Sequence, residues 1–175
     1  MNIRLAEREL KTKFGIFTEI LYYDGQAESM ALVMGEVAGA ENVLCRIHSH
    51  CISAHIFNSI ECTCREEMEA SQSLIAVEGK GLIIWLDQEG KGNGHLALMK
   101  SIKYKKAGFS QAEAYVKAGF KADARSYRAA AEILSDLKVK SIVLLSNSPD
   151  KADDMKKESV IVSGIKQLAI SVGAN

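Results

Sequence analysis

Three cysteines and three histidines fall within one short segment, HSHCISAHIFNSIECTCREE, which spans residues 48–67. The cysteines are Cys51, Cys62 and Cys64. Thiolates are preferred ligands of zinc, and three of them leave the fourth tetrahedral position for water or substrate. Zinc can lower the pKa of a water in that position to about 7, which is the arrangement of a hydrolytic site. The spacing therefore predicts a zinc site that is able to catalyse hydrolysis.

The fourth cysteine decides whether such a site is open and catalytic or closed and structural. Cys45 alternates with apolar residues along a segment typical of a strand, which favours a place in the core, since free cysteine is commonly buried. His48, His50 and His55 are further candidate ligands, although a single histidine is more often hydrogen-bonded or at the surface. Unlinked thiols that bind no metal are the alternative interpretation of the whole cluster.

The composition restricts the partners that the chain can have. Lys+Arg and Asp+Glu both number 22, so the net charge is zero and no broad electrostatic surface for nucleic acid or membrane is expected. The N-terminal residues 1–13 are charged, and no later run approaches the roughly 18 apolar residues of a membrane span. We therefore expect a soluble, cytoplasmic protein. In that reducing compartment, cysteines indicate thiols, metal binding or catalysis rather than disulfides.

The elements that must position these residues follow from the hydrophobic pattern. The first half predicts strands joined by two hairpin-like connections, and the second half alternates helices with continuous apolar strands. The predicted strands are 14–23, 29–37, 42–50, 82–87, 141–146 and 160–165, and the predicted helices are 65–81, 127–137 and one that begins near Pro149. The expected fold class is α/β (α+β), with a mixed sheet, antiparallel N-terminal strands and helix–strand alternation after residue 64. We expect residues 1–175 to form a single domain.

Five motifs around the cysteines occur in one order and at one set of intervals. They are R-I-H-S-H-C (46–51), C-T-C (62–64), Q-E-G-K-G-N-G (88–94), G-F-K-A-D-A-R (119–125) and L-L-S-N-S-P-D-K (144–151). Together they resemble the GTP cyclohydrolase II family. The resemblance implies an enzyme that hydrolyses the imidazole ring of GTP, releases formate and pyrophosphate, and serves riboflavin synthesis. It also implies zinc, magnesium with the triphosphate, and a homodimer.

The resemblance assigns roles to individual residues. Cys51, Cys62 and Cys64 match the three zinc ligands of the family. Asp123 matches its proposed proton acceptor, and Arg125 matches its proposed nucleophile toward the α-phosphate; a guanidinium fork can in any case clamp phosphate. Expected substrate contacts are Arg46, His50, Glu67, Glu89, Lys91, Gln111, Ser146 and Lys151.

Asp123 and Arg125 also have ordinary structural interpretations. Asp123 precedes a predicted helix closely enough to be its N-cap, a role that aspartate often fills. Arg125 would then be a solvent-exposed residue of the first turn. The Q-E-G-K-G-N-G segment by itself indicates only a tight turn after a strand.

Several substrate positions depart from the family pattern. Different residue types stand at His50, Glu67, Lys91 and Gln111, and the catalytic tyrosine of the family falls at Ile102. Tyr104 is two residues further on, roughly 200° around a helix, so it cannot replace that tyrosine. The carboxylate of Glu67 is expected to lie near the metal cluster and to repel a triphosphate. Three hypotheses follow: a divergent GTP cyclohydrolase II, a paralogue that uses the same zinc chemistry on another nitrogen heterocycle, or a non-catalytic protein with structural zinc.

Overall fold

A computed structural model describes residues 1–148 and 150–170 of the chain. The strands of this part are β1 (Ile3–Thr12), β2 (Gly15–Tyr23), β3 (Glu28–Met34), β4 (Val43–Ser49), β5 (Gly81–Leu86), β6 (Ile142–Leu145) and β7 (Val162–Lys166). The helices are α1 (Ile52–His55), α2 (Cys64–Glu78), α3 (His95–Lys106), α4 (Gln111–Lys117), α5 (Arg128–Asp136) and α6 (Asp150–Lys157). The helix expected near Pro149 is α6, while Pro149 itself lies outside the described residues. No helix in the described ranges is both long enough and apolar enough to cross a membrane.

The described strands form one mixed sheet in the order β1-β2-β3-β5-β4-β6-β7. Neighbours from β1 to β5 are antiparallel, whereas β5, β4, β6 and β7 are parallel to one another. This confirms the predicted mixed sheet with an antiparallel N-terminal part and helix–strand alternation after residue 64.

The second predicted hairpin is wrong. Strands β3 and β4 run in opposite directions, but β5 lies between them and pairs with both. The reason is the apolar run of β5, in which only Trp85 is not fully buried. Such a strand needs other elements packed on both of its faces and a hydrogen-bonded strand on each of its edges. A position in the centre of the sheet provides both.

Helices cover both faces of the sheet. Helices α5 and α6 pack on one face, together with Cys45 and Ile47 of β4. Helix α2 packs on the other face, against Ile83 of β5. Because side chains alternate along a strand, Arg46 and His48 point away from the face that holds Cys45. Cys45 is completely buried, as the alternation predicted.

The parallel strands bring the motif residues to one edge of the sheet. Strands β4, β5 and β6 point the same way, so the residues that follow Ser49, Leu86 and Leu145 emerge side by side. In open α/β sheets, ligands bind in the crevice outside these carboxyl ends. The first cysteine, the glycine-rich loop and Ser146 therefore meet at this edge although they are far apart in sequence.

Candidate metal and substrate site

The three cysteines of the motif converge in the structure. Cys51 follows β4, Cys62 lies in the next loop, and Cys64 is the first residue of α2. Their sulfur atoms all lie within 4.8 Å of one another, and those of Cys51 and Cys62 are 3.8 Å apart. A tetrahedral zinc with Zn–S bonds of about 2.3 Å needs sulfurs about 3.8 Å apart, whereas a disulfide needs about 2.05 Å. The donor set therefore fits a metal ion such as zinc and does not form a disulfide.

The thiols of this cluster do not ionise alike. A hydrogen bond from the Cys64 thiol lowers the pKa of Cys62 to about 6, despite partial burial. The same hydrogen bond, and then burial, raise the pKa of Cys64. Burial also raises the pKa of Cys51. Ionisation of one thiol therefore opposes ionisation of its neighbours, and a metal ion would stabilise the three thiolates together.

Partly buried contacts fix the segment between the cysteines. The Arg65 guanidinium donates to the carbonyl of Ala54, with Nε at 2.9 Å, and so ties α1 to α2. The carboxylate of Glu89 accepts from the backbone N–H of Ile52 at 2.8 Å and pairs with Nδ1 of His95 at 3.0 Å. Glu89, expected to contact substrate, thus fastens the cysteine segment to the start of α3.

The glycine-rich loop of residues 88–94 packs directly against the segment that carries the expected catalytic pair. Lys91 adopts φ 54°, and the backbone carbonyl of Lys91 accepts from the N–H of Ala124 at 2.8 Å. A Cβ atom on Gly92, where φ is 79°, would lie 2.6 Å from the carbonyl carbon of Ala124. Only glycine allows the two segments to approach so closely.

Asp123 and Arg125 form an ion pair rather than the start of a helix. Asp123 accepts hydrogen bonds from Nε of Arg125 at 3.0 Å and from Nη2 at 2.6 Å. Partial burial alone would raise the pKa of Asp123, but the contacts with Arg125 outweigh it and hold the pKa below its usual value. Helix α5 begins at Arg128 with Tyr127 as its N-cap, so the alternative helix-capping and first-turn interpretations are both wrong.

A cavity of about 640 Å³ opens beside the three cysteines, and we call it the cysteine cavity. It contains the sulfur cluster at one end, several cationic side chains, and an apolar wall from α3. Its lining includes Cys51, Cys62, Cys64, His50, Glu89, Lys91, Leu98, Met99, Ile102, Lys105, Lys106, Gln111, Tyr115 and Arg125. The structure thus brings together the expected metal ligands, Arg125, and half of the expected substrate contacts. Asp123 is not part of the lining but holds Arg125 in it.

The remaining four expected substrate contacts lie outside the lining of the cysteine cavity. They are Arg46, Glu67, Ser146 and Lys151, of which all but Glu67 are buried. Lys151 donates to the carbonyl of Ile47 at 3.0 Å, and the Ser146 hydroxyl donates to the carbonyl of Ser148 at 3.0 Å. Their polar groups are thus engaged with the protein itself.

Glu67 does not add an unpaired negative charge beside the metal cluster, as the sequence suggested. Its carboxylate forms an ion pair with Nη2 of Arg46, whose side chain is 5% exposed. Nη1 of the same guanidinium donates to the carbonyl of Leu145 at 3.1 Å. The expected repulsion of a triphosphate by Glu67 therefore needs correction, because the charge of Glu67 is matched within the protein.

Several residues that line the cysteine cavity were not expected from the sequence, among them Lys105, Lys106, His95 and Tyr115. His95 contributes through its contact with Glu89, and no pattern in the sequence marks it. Tyr115 enters from α4, a helix whose start is marked by a capping box between Ser110 and Glu113. The S-x-x-E signature of that box could have predicted the helix, though not the direction of Tyr115.

Comparisons with known proteins give a consistent picture. The family model described as GTP cyclohydrolase II matches residues 3–166. The riboflavin biosynthesis protein RibBA of Bacillus cereus is 41% identical over 150 residues, which are 85% of this chain and 38% of that protein. GTP cyclohydrolase-2 of Actinobacillus succinogenes is 34% identical over 174 residues, which are 98% of this chain and 79% of that protein.

One solved structure shows the same fold. It is the crystal structure of RibBX, a two-domain 3,4-dihydroxy-2-butanone 4-phosphate synthase from A. baumannii, with a TM-score of 0.53 and 17% identity. The match covers 97% of this chain and 40% of that chain. Our chain therefore spans well under half the length of RibBA and of RibBX.

Proposed function

This chain belongs to the GTP cyclohydrolase II family, and from that premise we propose that it is a zinc-dependent hydrolase that opens the imidazole ring of GTP. Formate and pyrophosphate would be released, as in the chemistry of the riboflavin pathway. The observation that supports this most directly is the cluster of Cys51, Cys62 and Cys64, which has sulfur spacing suited to zinc and opens into a substrate-sized cavity.

Zinc would be held by the three motif cysteines, with Cys45 excluded by its place in the core. A zinc ion there would supply a Lewis acid that activates water near neutral pH. The cavity beside the cluster leaves room for water and substrate, which supports an open rather than a purely structural site.

Cationic groups in the lining suit a triphosphate with its Mg²⁺. Lys91, Lys105, Lys106 and Arg125 all line the cysteine cavity. Asp123 engages Nε and Nη2 of Arg125 and so fixes the guanidinium, whose Nη1 can still donate to phosphate. These donors would stabilise the charge of the departing pyrophosphate.

The family resemblance implies that Asp123 is a proton acceptor. The geometry of the Asp123 side chain adds a second role. Its carboxylate already accepts hydrogen bonds from Arg125, and its pKa is held low, so it is a weak base. We therefore assign to Asp123 the orientation of Arg125, with proton transfer as the role that the family implies. We also propose a single domain and a cytoplasmic location, and by the same resemblance a homodimer.

A second candidate function is the same hydrolytic chemistry on another nitrogen heterocycle. The apolar wall of Leu98, Met99 and Ile102 favours it, because this wall stands where the family has a tyrosine and offers no hydrogen bond to a ring. The side-chain amide of Gln111 also donates to Ser101 at 3.1 Å and is partly engaged. A different ring would then be selected by shape and by the polar groups opposite the wall.

Metal analysis and turnover test the proposal together. Protein purified without chelator should carry about one zinc per chain; Cys62→Ser should lose it, and Cys45→Ala should keep it. With GTP and Mg²⁺ the zinc-loaded protein should release formate and pyrophosphate, at a rate below about 1 s⁻¹ because the substrate contacts are altered. Arg125→Ala should abolish this release, and Asp123→Asn should reduce it strongly.

Folding provides the control for these two variants. The pair is partly exposed, with side-chain exposures of 21% for Arg125 and 41% for Asp123. Its contribution to the free energy of unfolding should therefore be at most about 1 kcal/mol. Absence of zinc, or full activity of Arg125→Ala, would contradict the proposed function. Zinc without formate release from GTP would favour the other heterocycle.

A further inference from the structure

Tyr115 lines the cysteine cavity from a helix, α4, that carries none of the motifs. The side chain is almost completely buried, with 2% of the residue exposed, yet it lines the cavity. Buried tyrosines usually place their hydroxyl against a hydrogen-bond partner. Tyr22 shows the ordinary solution, because its hydroxyl donates to Asp136 at 2.7 Å.

Most other polar groups of the lining are already engaged with the protein. His50 pairs with Asp87 at 3.1 Å, and Arg125 is paired with Asp123. The amide of Gln111 donates to Ser101. Tyr115 therefore offers a neutral donor beside the space that a ligand would fill, as do the smaller hydroxyls of Ser53 and Ser59.

The surroundings of Tyr115 keep its hydroxyl protonated. Burial, and then the negative charge of Glu89, raise the pKa of Tyr115 to about 12. At neutral pH the group is thus a hydrogen-bond donor and not a base.

We propose that Tyr115 contacts the substrate and donates a hydrogen bond to N7 of a purine ring held in the cysteine cavity. The inference rests on the proposed function, because it takes the imidazole ring of GTP as the part that faces the cysteines. N7 is the lone-pair acceptor of that ring. A donor at N7 draws electron density from the adjacent ring carbon, which favours attack by water at that carbon.

A double comparison of protein and ligand tests the inference. The protein pair is the wild type and Tyr115→Phe, which removes only the hydroxyl; the ligand pair is GTP and 7-deaza-GTP, in which a C–H replaces N7. The ring of Trp85, the only tryptophan, lies 5.1 Å from that of His50, which lines the cavity, so its fluorescence reports occupancy. Binding to zinc-loaded protein is followed in a stopped-flow mixer before turnover.

We expect Tyr115→Phe to weaken the binding of GTP by about threefold to tenfold and to leave that of 7-deaza-GTP within about twofold. Tyr104→Phe is the matched control, because Tyr104 lies in a separate depression beside Lys103, and it should change neither affinity. The melting temperatures of both variants should stay close to that of the wild type.

Three outcomes would overturn the inference. They are an equal loss for both nucleotides in Tyr115→Phe, no loss for either, or a wild type that binds neither nucleotide. The proposed function can fail separately. A protein that prefers GTP over 7-deaza-GTP through Tyr115, yet releases no formate, would contradict the hydrolysis of GTP and leave the role of Tyr115 intact.

Discussion

Glu67 of α2 and Arg46 of β4 form a nearly buried ion pair. The side chain of Arg46 is 5% exposed and that of Glu67 is 20% exposed. Water therefore reaches the guanidinium poorly, and the carboxylate of Glu67 must compensate its positive charge. Among the described residues, Nε of Arg46 has no hydrogen-bond partner, so Glu67 is the main compensation for the charge of the guanidinium. Removing one member of a buried pair leaves the other as an uncompensated charge, which is costly.

We therefore expect Glu67→Gln to destabilise the protein by about 2–4 kcal/mol, as measured by denaturant unfolding. The amide keeps the length of the side chain but loses the charge that Arg46 requires. Glu66→Gln, at the exposed neighbouring position of α2, should change the free energy of unfolding by less than about 0.5 kcal/mol. Equal stability of the two variants would show that Arg46 does not need the charge of Glu67.

At the scale of elements, the loop of residues 88–94 sets the distance between β5 and the segment of Asp123. Gly92→Ala adds a methyl group that would lie 2.6 Å from the backbone of Ala124, so one of the two segments must move. We expect a loss of more than about 1 kcal/mol in stability and a clear fall in turnover, because Arg125 would be displaced.

Gly39→Ala is the matched control for this change. Gly39 has φ 71°, close to the 79° of Gly92, but no atom of the described residues lies within 4 Å of the added methyl group. It should therefore show only the cost of the left-handed backbone, about 1 kcal/mol, with turnover unchanged. A similar effect of both variants on turnover would mean that the contact with Ala124 does not position the site.

The elements differ in how far the sequence determines them. Strands β5 and β6 were predictable because continuous apolar runs require burial on both faces. Strand β1 was not predicted, since it is an edge strand with mostly exposed side chains and is held by backbone pairing with β2. The place of β5 between β3 and β4 also depends on pairing across the sheet, which the turn residues do not encode.

The residues of the site also differ in how far the sequence predicts them. Cys51, Cys62 and Cys64 could be predicted because ligand spacing is local in the sequence. The sequence could not predict which of the expected substrate contacts line the cavity and which do not. Lys151 and Glu67 contact β4 instead, because of packing between segments that are distant in the sequence. Tyr115 was missed because its direction is set by the way α4 packs on α3.

At the scale of the whole molecule, Lys151 couples global stability to pH. Its side chain lies in the interior, where Nζ donates to the carbonyl of Ile47 on β4. Burial, reinforced by the charges of Arg46 and Arg125, lowers the pKa of Lys151 from 10.5 to about 7. Between these two values the unfolded chain binds a proton that the folded chain does not bind. Stability therefore rises with pH across this window and is lost as the pH falls toward 7.

Replacing Lys151 by methionine should remove this dependence, because the apolar side chain fills the same space without a proton to bind. Each pKa unit corresponds to about 1.4 kcal/mol, so the wild type should gain a few kcal/mol relative to Lys151→Met between pH 7 and pH 10. Denaturant unfolding of both proteins at pH 7, 8.5 and 10 measures the difference. Lys156→Met, at an exposed position of α6, should keep the wild-type pH dependence. A constant difference between wild type and Lys151→Met would mean that Lys151 keeps its proton in the folded protein.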